Sequence, residues 1–421
     1  MSEPQRSQRS FAVVTTLFFA MGFITSVIDP LIPSVKAVFQ LNFTQSMLTQ
    51  FTFFLAYGLV SLPAGRIVAS VGYGRAAFAA LAITAAGSLV MPLATGMEAY
   101  WLVLVALFVI ASGLTILQVT INPLAASLGR PEHAHLRLTL SQAFNSLGTV
   151  IGPYFGTMIM LRGGVFSDTA SAAGRQETLQ GINASFLVIA VLIIGLTILA
   201  LATREALGSQ APESTLACRP SLAGALASPW ARFGALAIFL YVGAEVSVGS
   251  LMINFLHQKN VLDVSLETAG KLLMLYWLGA MIGRFAGSIM LARFAASRIL
   301  GLAAVGAATL CFFVTQSHGI VAAIAALLIG LHNSIMFPTI FTLTLERSTA
   351  STAQTSALLC AAIIGGAILP LATGFLADTI GLRFAFLAPM ISYVIIAGFA
   401  FAAAREPIRG RDIAPSLAGA E

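Results

Sequence analysis

Charged residues are scarce in this chain. Only 9% of its 421 residues are Asp, Glu, Lys or Arg, whereas 58% are hydrophobic, and the mean hydropathy is +0.92. A soluble domain carries about 25% charged residues. So few charges cannot cover a water-facing surface, and the composition therefore indicates a polytopic membrane protein.

Cysteine is also rare, and the three cysteines, Cys218, Cys311 and Cys360, lie far apart in the sequence. Their spacing does not resemble that of a metal or redox site, so we expect no metal and no cofactor, and we interpret them as thiols of the core or of loops. The sequence has no phosphate-binding glycine loop and no nucleophile elbow. These absences disfavour a membrane-embedded enzyme and leave a non-transporting membrane sensor as a weak alternative.

Long apolar stretches recur along the chain, and a membrane-spanning helix needs about 20 mostly apolar residues. Twelve stretches meet this length and predict an all-α polytopic membrane protein. They lie at about 11–33, 46–70, 76–96, 99–127, 138–161, 183–203, 232–256, 267–291, 297–316, 319–345, 354–379 and 383–404. A segment rich in Ser, Pro and charge separates the sixth stretch from the seventh, as expected of a linker. The predicted domains are an N-terminal six-helix bundle (1–203), a cytoplasmic linker (204–231) and a C-terminal six-helix bundle with a short cytoplasmic tail (232–421).

The distribution of Lys and Arg predicts the orientation of the spans. If both termini are cytoplasmic, 16 of the 22 basic residues lie on the cytoplasmic side and 6 lie outside. The opposite topology would invert this ratio, contrary to the rule that cytoplasmic loops retain positive charge. We therefore expect both termini in the cytoplasm. The net charge of +6 then reflects these loops, and no nucleic-acid partner is expected.

Corresponding residues recur in the two halves at a nearly constant distance. The offset is 215 to 218 residues for four pairs, namely Asp29 and Glu245, Gly65 and Gly283, Pro123 and Pro338, and Pro153 and Pro370. Each pair falls on corresponding spans, which indicates a duplication. Two parallel six-span halves with a site between them near the bilayer midplane are typical of the major facilitator architecture.

Two acidic residues lie within apolar runs. Asp29 lies in the run 11–33, and Glu245 lies in the run 233–255. A carboxylate at membrane depth is costly and usually lines a cavity or a substrate pathway. Asp29 and Glu245 are therefore candidates for proton coupling. The alternative is that either residue is permanently ionised and paired with a buried cation.

Six polar side chains within the spans are candidates for substrate binding: Gln118, Asn122, Gln142, Asn145, Tyr241 and Asn333. Gln118 and Asn122 are four residues apart and share a helix face. In hydrocarbon an unpaired amide is costly, so these groups bond either each other or a ligand. For a single amide, bonding between helices is an equally good interpretation. The whole set favours a polar ligand. Few basic side chains lie away from the span ends, which favours a neutral solute such as a sugar.

Four arginines predict a conformational latch. Arg66 and Arg75 lie in GRIVASVGYGR, and Arg284 and Arg293 lie in the corresponding GRFAGSIMLARF. Both stretches resemble the major facilitator loop signature G-x-x-x-D-R-x-G-R, in which charges hold neighbouring helix ends together, although both lack its acidic residue. The alternative is that these arginines are only cytoplasmic anchors of the spans.

Several motifs together resemble one family, the fucose–galactose–glucose:proton symporters of the major facilitator superfamily. The motifs are FIT..IDPLIP, ILQV..NP, RL.LSQAFNSLG, YVGAEVS.GS, IGRF.G, NSIMFPTIFTL and GGAILPL..G.LAD. They extend over nearly the whole chain and are most similar to the glucose/galactose branch. The resemblance implies proton-coupled hexose uptake by alternating access across a bacterial inner membrane. It further implies Asp29 as the first-span coupling carboxylate and Gln142 and Asn145 as amides near the sugar.

The chain also departs from that family. Ile28-Asp29-Pro30 stands where relatives read N-D-I, and Gln118 stands where the fucose permease has a glutamate. Sodium in place of the proton therefore stays open as the coupling ion, and we expect a monomer in the lipid bilayer. The alternative function is a drug:proton antiporter, because GTVIGPYFGT at 148–157 is close to the antiporter signature G-x-x-x-G-P-x-x-G-G, with Thr157 at the final glycine.

Overall fold

The chain forms a bundle of long helices. The structure, a computed structural model, describes residues 3–127, 134–162, 172–202, 222–291, 293–350 and 352–406, and within these ranges it contains no strand. The first six spans are Glu3–Ser26 with Ile28–Val38 (span 1), Leu48–Val71 (span 2), Tyr73–Gly96 (span 3), Tyr100–Ser127 (span 4), Ala134–Met160 (span 5) and Ala172–Ala202 (span 6). The second six are Pro229–His257 (span 7), Leu266–Leu291 (span 8), Ala296–Gln316 (span 9), Gly319–Asn333 with Met336–Arg347 (span 10), Thr352–Ala361 with Gly365–Ile380 (span 11) and Leu387–Arg405 (span 12). Short helices, Phe43–Ser46 and Leu222–Leu226, and 3-10 turns, Ala362–Ile364 and Phe384–Phe386, complete the described elements.

The predicted all-α fold with twelve spans is confirmed. In the described part of the chain, ten stretches are long and apolar enough to cross a membrane. The remaining two, spans 2 and 5, are helices of 24 and 27 residues, which is enough for about 30 Å of hydrocarbon. Span 1 continues to Val38, beyond the predicted end at 33, and span 7 begins at Pro229. Residues 204–221 of the predicted linker, and Cys218 with them, lie outside the described residues, so the domain boundaries stay predictions.

Two spans are interrupted next to prolines. Span 1 is interrupted at Val27, three residues before Pro30, and span 10 is interrupted at 334–335, before Pro338. Because proline has no backbone N–H, it leaves the carbonyl four residues earlier without its helical donor. At the interruption of span 10, the hydroxyl of Tyr241 on span 7 donates a hydrogen bond to the backbone carbonyl of Asn333.

Each half has its own hydrophobic core. One buried cluster contains residues of spans 1 to 6 only, from Val13 to Leu196. The other is built from spans 7 to 12, and Ile32, Met47 and Leu161 of the first half join it. Large apolar side chains such as Leu93, Val191 and Leu302 are more than 60% exposed on the outside of the bundle, as expected of a lipid-facing surface. The structure is therefore two six-helix bundles, as predicted.

The two halves meet along two seams. In the first, spans 2 and 11 pack closely, because a Cβ atom at Gly366 would lie 2.8 Å from the Phe54 ring and one at Gly58 would lie 2.9 Å from Ile364. In the second, spans 5 and 8 pack closely, since a Cβ at Gly270 would lie 2.2 Å from Oγ1 of Thr157. Small residues at these points allow the backbones of the two halves to approach.

One end of the bundle is closed by a carboxylate of the second half. Asp378, near the end of span 11, accepts hydrogen bonds from the backbone N–H groups of Phe43 and Thr44, both at 2.8 Å, and from Oγ1 of Thr44 at 2.6 Å. The ammonium group of Lys36 lies 4.3 Å from the centre of the Phe43 ring. We call this the closed end. Asp378 there ties the connection between spans 1 and 2 to span 11.

We predict that Asp378→Asn opens the closed end. The loss of charge weakens three hydrogen bonds by about 1 kcal/mol, which favours separated halves by a factor of about five. A cysteine introduced at Ile32, buried where the halves meet, reports this opening through its rate of maleimide labelling when the three native cysteines are replaced with alanine.

The matched control is Asp263→Asn, an exposed aspartate at the same end. Equal labelling rates in the Asp378 and Asp263 variants would show that Asp378 does not hold this end closed.

Candidate functional site

Asp29 lies at the boundary between the two halves. Its side chain is only 5% exposed. Nε1 of Trp277, on span 8, donates a hydrogen bond to Oδ2 at 3.1 Å, and Nε2 of Gln50, on span 2, donates one to Oδ1 at 3.5 Å. Both donors are neutral, and the described residues include no ion pair to Asp29. The geometry therefore favours a titratable group over a permanently paired one.

Both candidate carboxylates lie at a similar depth below the closed end. At 1.5 Å per residue, Asp29 lies about 14 Å from the end of span 1 at Val38, and Glu245 lies about 18 Å from the end of span 7 at His257. The hydrocarbon core is about 30 Å thick. Depths of about 14 and 18 Å are compatible with the midplane site that is expected of this architecture.

Glu245 has surroundings unlike those of Asp29. It is half-buried and interacts electrostatically with the guanidinium of Arg284 on span 8. The hydroxyl of Tyr276 donates a hydrogen bond to its backbone carbonyl at 3.2 Å. Nη1 of Arg284 also donates a hydrogen bond to Oγ of Ser146, on span 5. Arg284 therefore connects the carboxylate of the second half with the first half.

The four predicted latch arginines occupy different environments. Arg284 lies seven residues before the end of span 8 and interacts electrostatically with Glu245. Arg75 and Arg293 are exposed, and neither forms an ion pair within the described ranges. The side chain of Arg66 lies outside the described residues. The latch role of these arginines stays a prediction.

Tyr241 and Asn333 belong to a buried hydrogen-bond network. The hydroxyl of Tyr241 donates to the backbone carbonyl of Asn333 at 3.0 Å, at the interruption of span 10. Nδ2 of Asn333 donates to the hydroxyl of Tyr276 at 2.9 Å, which in turn donates to the carbonyl of Glu245. All three side chains of this network are at most 2% exposed. In this conformation their polar groups hold spans 7, 8 and 10 together, and their predicted contact with substrate stays untested.

The predicted amides of the first half lie in different environments. Nδ2 of Asn145 donates to the backbone carbonyl of Phe18 at 3.0 Å and so connects span 5 with span 1. Gln118 and Gln142 are half-buried, and each lies about 27 Å from the closed-end terminus of its helix, so they share one depth. The side chain of Asn122 lies outside the described residues. The predicted contact of Gln118 and Gln142 with a substrate stays a prediction.

Sequence reasoning missed Trp277, Gln50, Tyr276 and Ser146. A signal was present for the two aromatic residues: a buried tyrosine or tryptophan needs a partner for its polar atom, and both interrupt the apolar run of span 8. Gln50 and Ser146 give no such signal, because their partners come from distant parts of the sequence.

Comparison with known proteins decides the family. Residues 14–363 match the family described as Major Facilitator Superfamily. The chain belongs to the major facilitator superfamily. It is 44% identical over 388 residues to a protein of Brucella abortus biovar 1 (strain 9-941) named glucose/galactose transporter, covering 91% of each chain. It is 30% identical over 409 residues to the L-fucose-proton symporter of Escherichia coli K12, covering 93% of this chain and 92% of the relative.

A solved structure agrees with this membership. The crystal structure of FucP, a major facilitator transporter in the outward conformation, matches with a TM-score of 0.68 and 27% identity, covering 94% of this chain and 99% of that one. The predicted resemblance to the fucose–galactose–glucose symporters is therefore confirmed. A major facilitator protein with these relatives is a multi-pass membrane transporter and not an enzyme. The names of these relatives do not favour the antiporter alternative.

We predict that Tyr276→Phe lowers thermal stability. Removal of the hydroxyl leaves the buried Nδ2 of Asn333 without its acceptor, which costs about 1–3 kcal/mol. The measurement is the apparent Tm of the purified protein in detergent. Tyr154→Phe is the matched control, since Tyr154 is 43% exposed. The network would not be structural if both variants unfolded at the wild-type temperature.

We also predict coupling between Glu245 and Arg284. Arg284→Gln removes the cation that interacts with the carboxylate, so we expect it to lower the apparent Tm of the protein. Glu245→Gln combined with Arg284→Gln removes both charges, so the double variant is expected to unfold at a higher temperature than Arg284→Gln alone. Additive losses in this double-mutant cycle would contradict the pairing.

Proposed function

We propose that this protein is a proton-coupled transporter that takes up a neutral hexose of the glucose, galactose and fucose class by alternating access. The observation that carries the proposal is Asp29, a buried midplane carboxylate that accepts hydrogen bonds from neutral donors of both halves. A carboxylate in these surroundings can bind and release a proton while its neighbours stay uncharged. The names of the Brucella and Escherichia relatives support both the substrate class and the coupling.

The charges around the proposed pathway favour a neutral substrate. Arg284 interacts electrostatically with Glu245 and donates a hydrogen bond to Ser146, so its guanidinium already has partners within the protein. The amides of Gln118 and Gln142 supply donors and acceptors without charge, as a sugar requires. We therefore propose these two residues as sugar contacts, with Asn122 one helical turn from Gln118 on span 4.

The predicted distribution of Lys and Arg implies which side of the membrane the closed end faces. With both termini in the cytoplasm of a bacterium, the closed end faces outwards and this conformation faces inwards. The contacts described between the halves extend from Asp378 and Phe43 at that end to Arg284 and Ser146, which lie about 27 and 21 Å from the closed-end termini of their helices. The opposite conformation requires these contacts to separate while the cytoplasmic ends of the spans approach each other.

The proposed cycle follows from this geometry. Asp29 takes a proton from outside when the closed end is open, and hexose binds between the halves. The halves, 1–203 and 232–421, then rock about the midplane while the linker spans their cytoplasmic ends. Proton release to the cytoplasm accompanies sugar release and resets the carrier. Glu245 is the second candidate for the proton.

The decisive experiment is uptake of labelled glucose, galactose and fucose into proteoliposomes, with and without an inward proton gradient. We expect accumulation that collapses when a protonophore is added, and a sodium gradient in place of the proton gradient tests the other ion. Equilibration that no gradient affects would indicate a facilitator. Failure to transport any of the sugars, together with efflux of drugs, would overturn the proposal in favour of antiport.

We predict that Asp29→Asn abolishes uphill uptake but allows sugar exchange. The amide keeps a similar shape and still accepts a hydrogen bond, but it cannot carry a proton across the membrane. Uptake and exchange are measured in the same proteoliposomes, with Asp263→Asn as the matched control. Full uphill uptake by the Asp29 variant would exclude Asp29 from coupling.

A further inference from the structure

Trp277 is the contribution of the second half to the environment of Asp29. In the described part of the chain, Asp29 accepts its shorter side-chain hydrogen bond from Nε1 of Trp277, at 3.1 Å. The two residues are 248 positions apart and lie on opposite halves. Trp277 lies about 17 Å from the start of span 8, a depth similar to that of Asp29 in span 1. The contact is therefore made across the boundary that must open during transport.

The indole of Trp277 is held in a fixed orientation. Its ring packs edge-on against Tyr276, with centroids 5.1 Å apart and an interplanar angle of 78°. Gly249 of span 7 lies beside another part of the ring, because a Cβ there would be in van der Waals contact with Cζ2 of the indole, at 3.4 Å. The donor is thus aligned with Asp29 by residues of its own half.

We propose that Trp277 makes proton binding at Asp29 depend on conformation. In the closed conformation, its indole N–H stabilises the ionised carboxylate, so Asp29 releases its proton towards the cytoplasm. When the halves separate at the closed end, the hydrogen bond is lost. The ionised form of Asp29 is then less stable relative to the protonated form, and Asp29 binds a proton more readily. The inference rests on the proposed function and assigns Trp277 as a positioning residue of the coupling step.

The coupling follows from thermodynamic linkage. A donor that binds one protonation state of Asp29 in only one conformation must bias both equilibria together. Gln50 cannot supply this coupling, because it belongs to the same half as Asp29 and its hydrogen bond is longer, at 3.5 Å. Among the described residues, Tyr276 is the titratable group that interacts electrostatically with Asp29, and a phenol stays neutral at the pH of transport.

The first test is Trp277→Phe, which keeps an aromatic ring and removes the N–H. Uphill uptake of labelled galactose is measured at fixed external pH while internal pH varies, and each variant is normalised to its own maximum. We expect the internal pH of half-maximal uptake to rise by about one unit. The free energy of a hydrogen bond to a charged group corresponds to a shift of about this size in the pH at which that group is half-protonated. Trp101→Phe, at a site 63% exposed, is the control and should not move the midpoint.

A lower maximum with an unchanged midpoint would overturn the proposal, because a purely structural role of Trp277 predicts that result. An uptake curve that no internal pH affects in the wild-type protein would instead contradict proton coupling itself. The two failures are therefore distinguishable.

The second test needs no transport. The chain has three tryptophans, so the variant with Trp101→Phe and Trp230→Phe retains Trp277 as its sole indole. We expect its fluorescence in detergent to titrate with pH and the titration to vanish when Asp29→Asn is added. A titration that persists in the Asp29 variant, or no titration at all, would overturn the proposal even if Trp277→Phe fails to fold.

Discussion

The cost of placing a carboxylate in hydrocarbon constrains the middle of this protein. An ionised group there must find donors or a cation, or it must become neutral. The two halves have met this requirement differently at equivalent positions. Asp29 is surrounded by neutral donors, whereas Glu245 has the guanidinium of Arg284 nearby. The duplication therefore supplies similar geometry but unequal chemistry, and the two acids are not interchangeable.

The surroundings of the two carboxylates include side-chain contacts between the two halves. The donor to Asp29 comes from span 8, and the cation beside Glu245 donates to Ser146 on span 5. Each buried acid thus depends on a residue that bridges, directly or through Arg284, to the opposite half. Close packing at Gly270 and Gly366 brings the backbones near enough for these side chains to meet. The hydrogen bonds and charges around the two acids therefore depend on close packing between the halves.

Much of the fold was predictable from the sequence. Span number follows from hydrophobic length, and the duplication follows from the constant offset between pairs such as Asp29 and Glu245. The interruptions of spans 1 and 10 lie just before Pro30 and Pro338, but Pro63 and Pro92 lie inside continuous helices, so a proline alone does not predict an interruption. The span number and the duplication depend on the length of apolar runs and on the distance in sequence between repeated residues, which can be read without knowledge of tertiary packing.

The partners within the site were not predictable in this way. Trp277 and Asp29 meet only because spans 1 and 8 pack together, and neither residue's own neighbourhood indicates the other. The same reason limits the amides: the sequence does not show that Asn145 bonds the backbone of span 1. The sequence identified the set of polar residues, whereas tertiary packing decides which partners each of them meets.

Coupling of sugar and proton movement at Asp29 is the central claim, and the most direct measurement is the pH of a lightly buffered medium around de-energised proteoliposomes when galactose, glucose or fucose is added. The account predicts a rapid alkalinisation with the transported sugar in the wild-type protein, because each sugar carries a proton inwards. It predicts no alkalinisation with Asp29→Asn. Sugar entry without any change of external pH in the wild-type protein, or an undiminished change in the variant, would contradict the account.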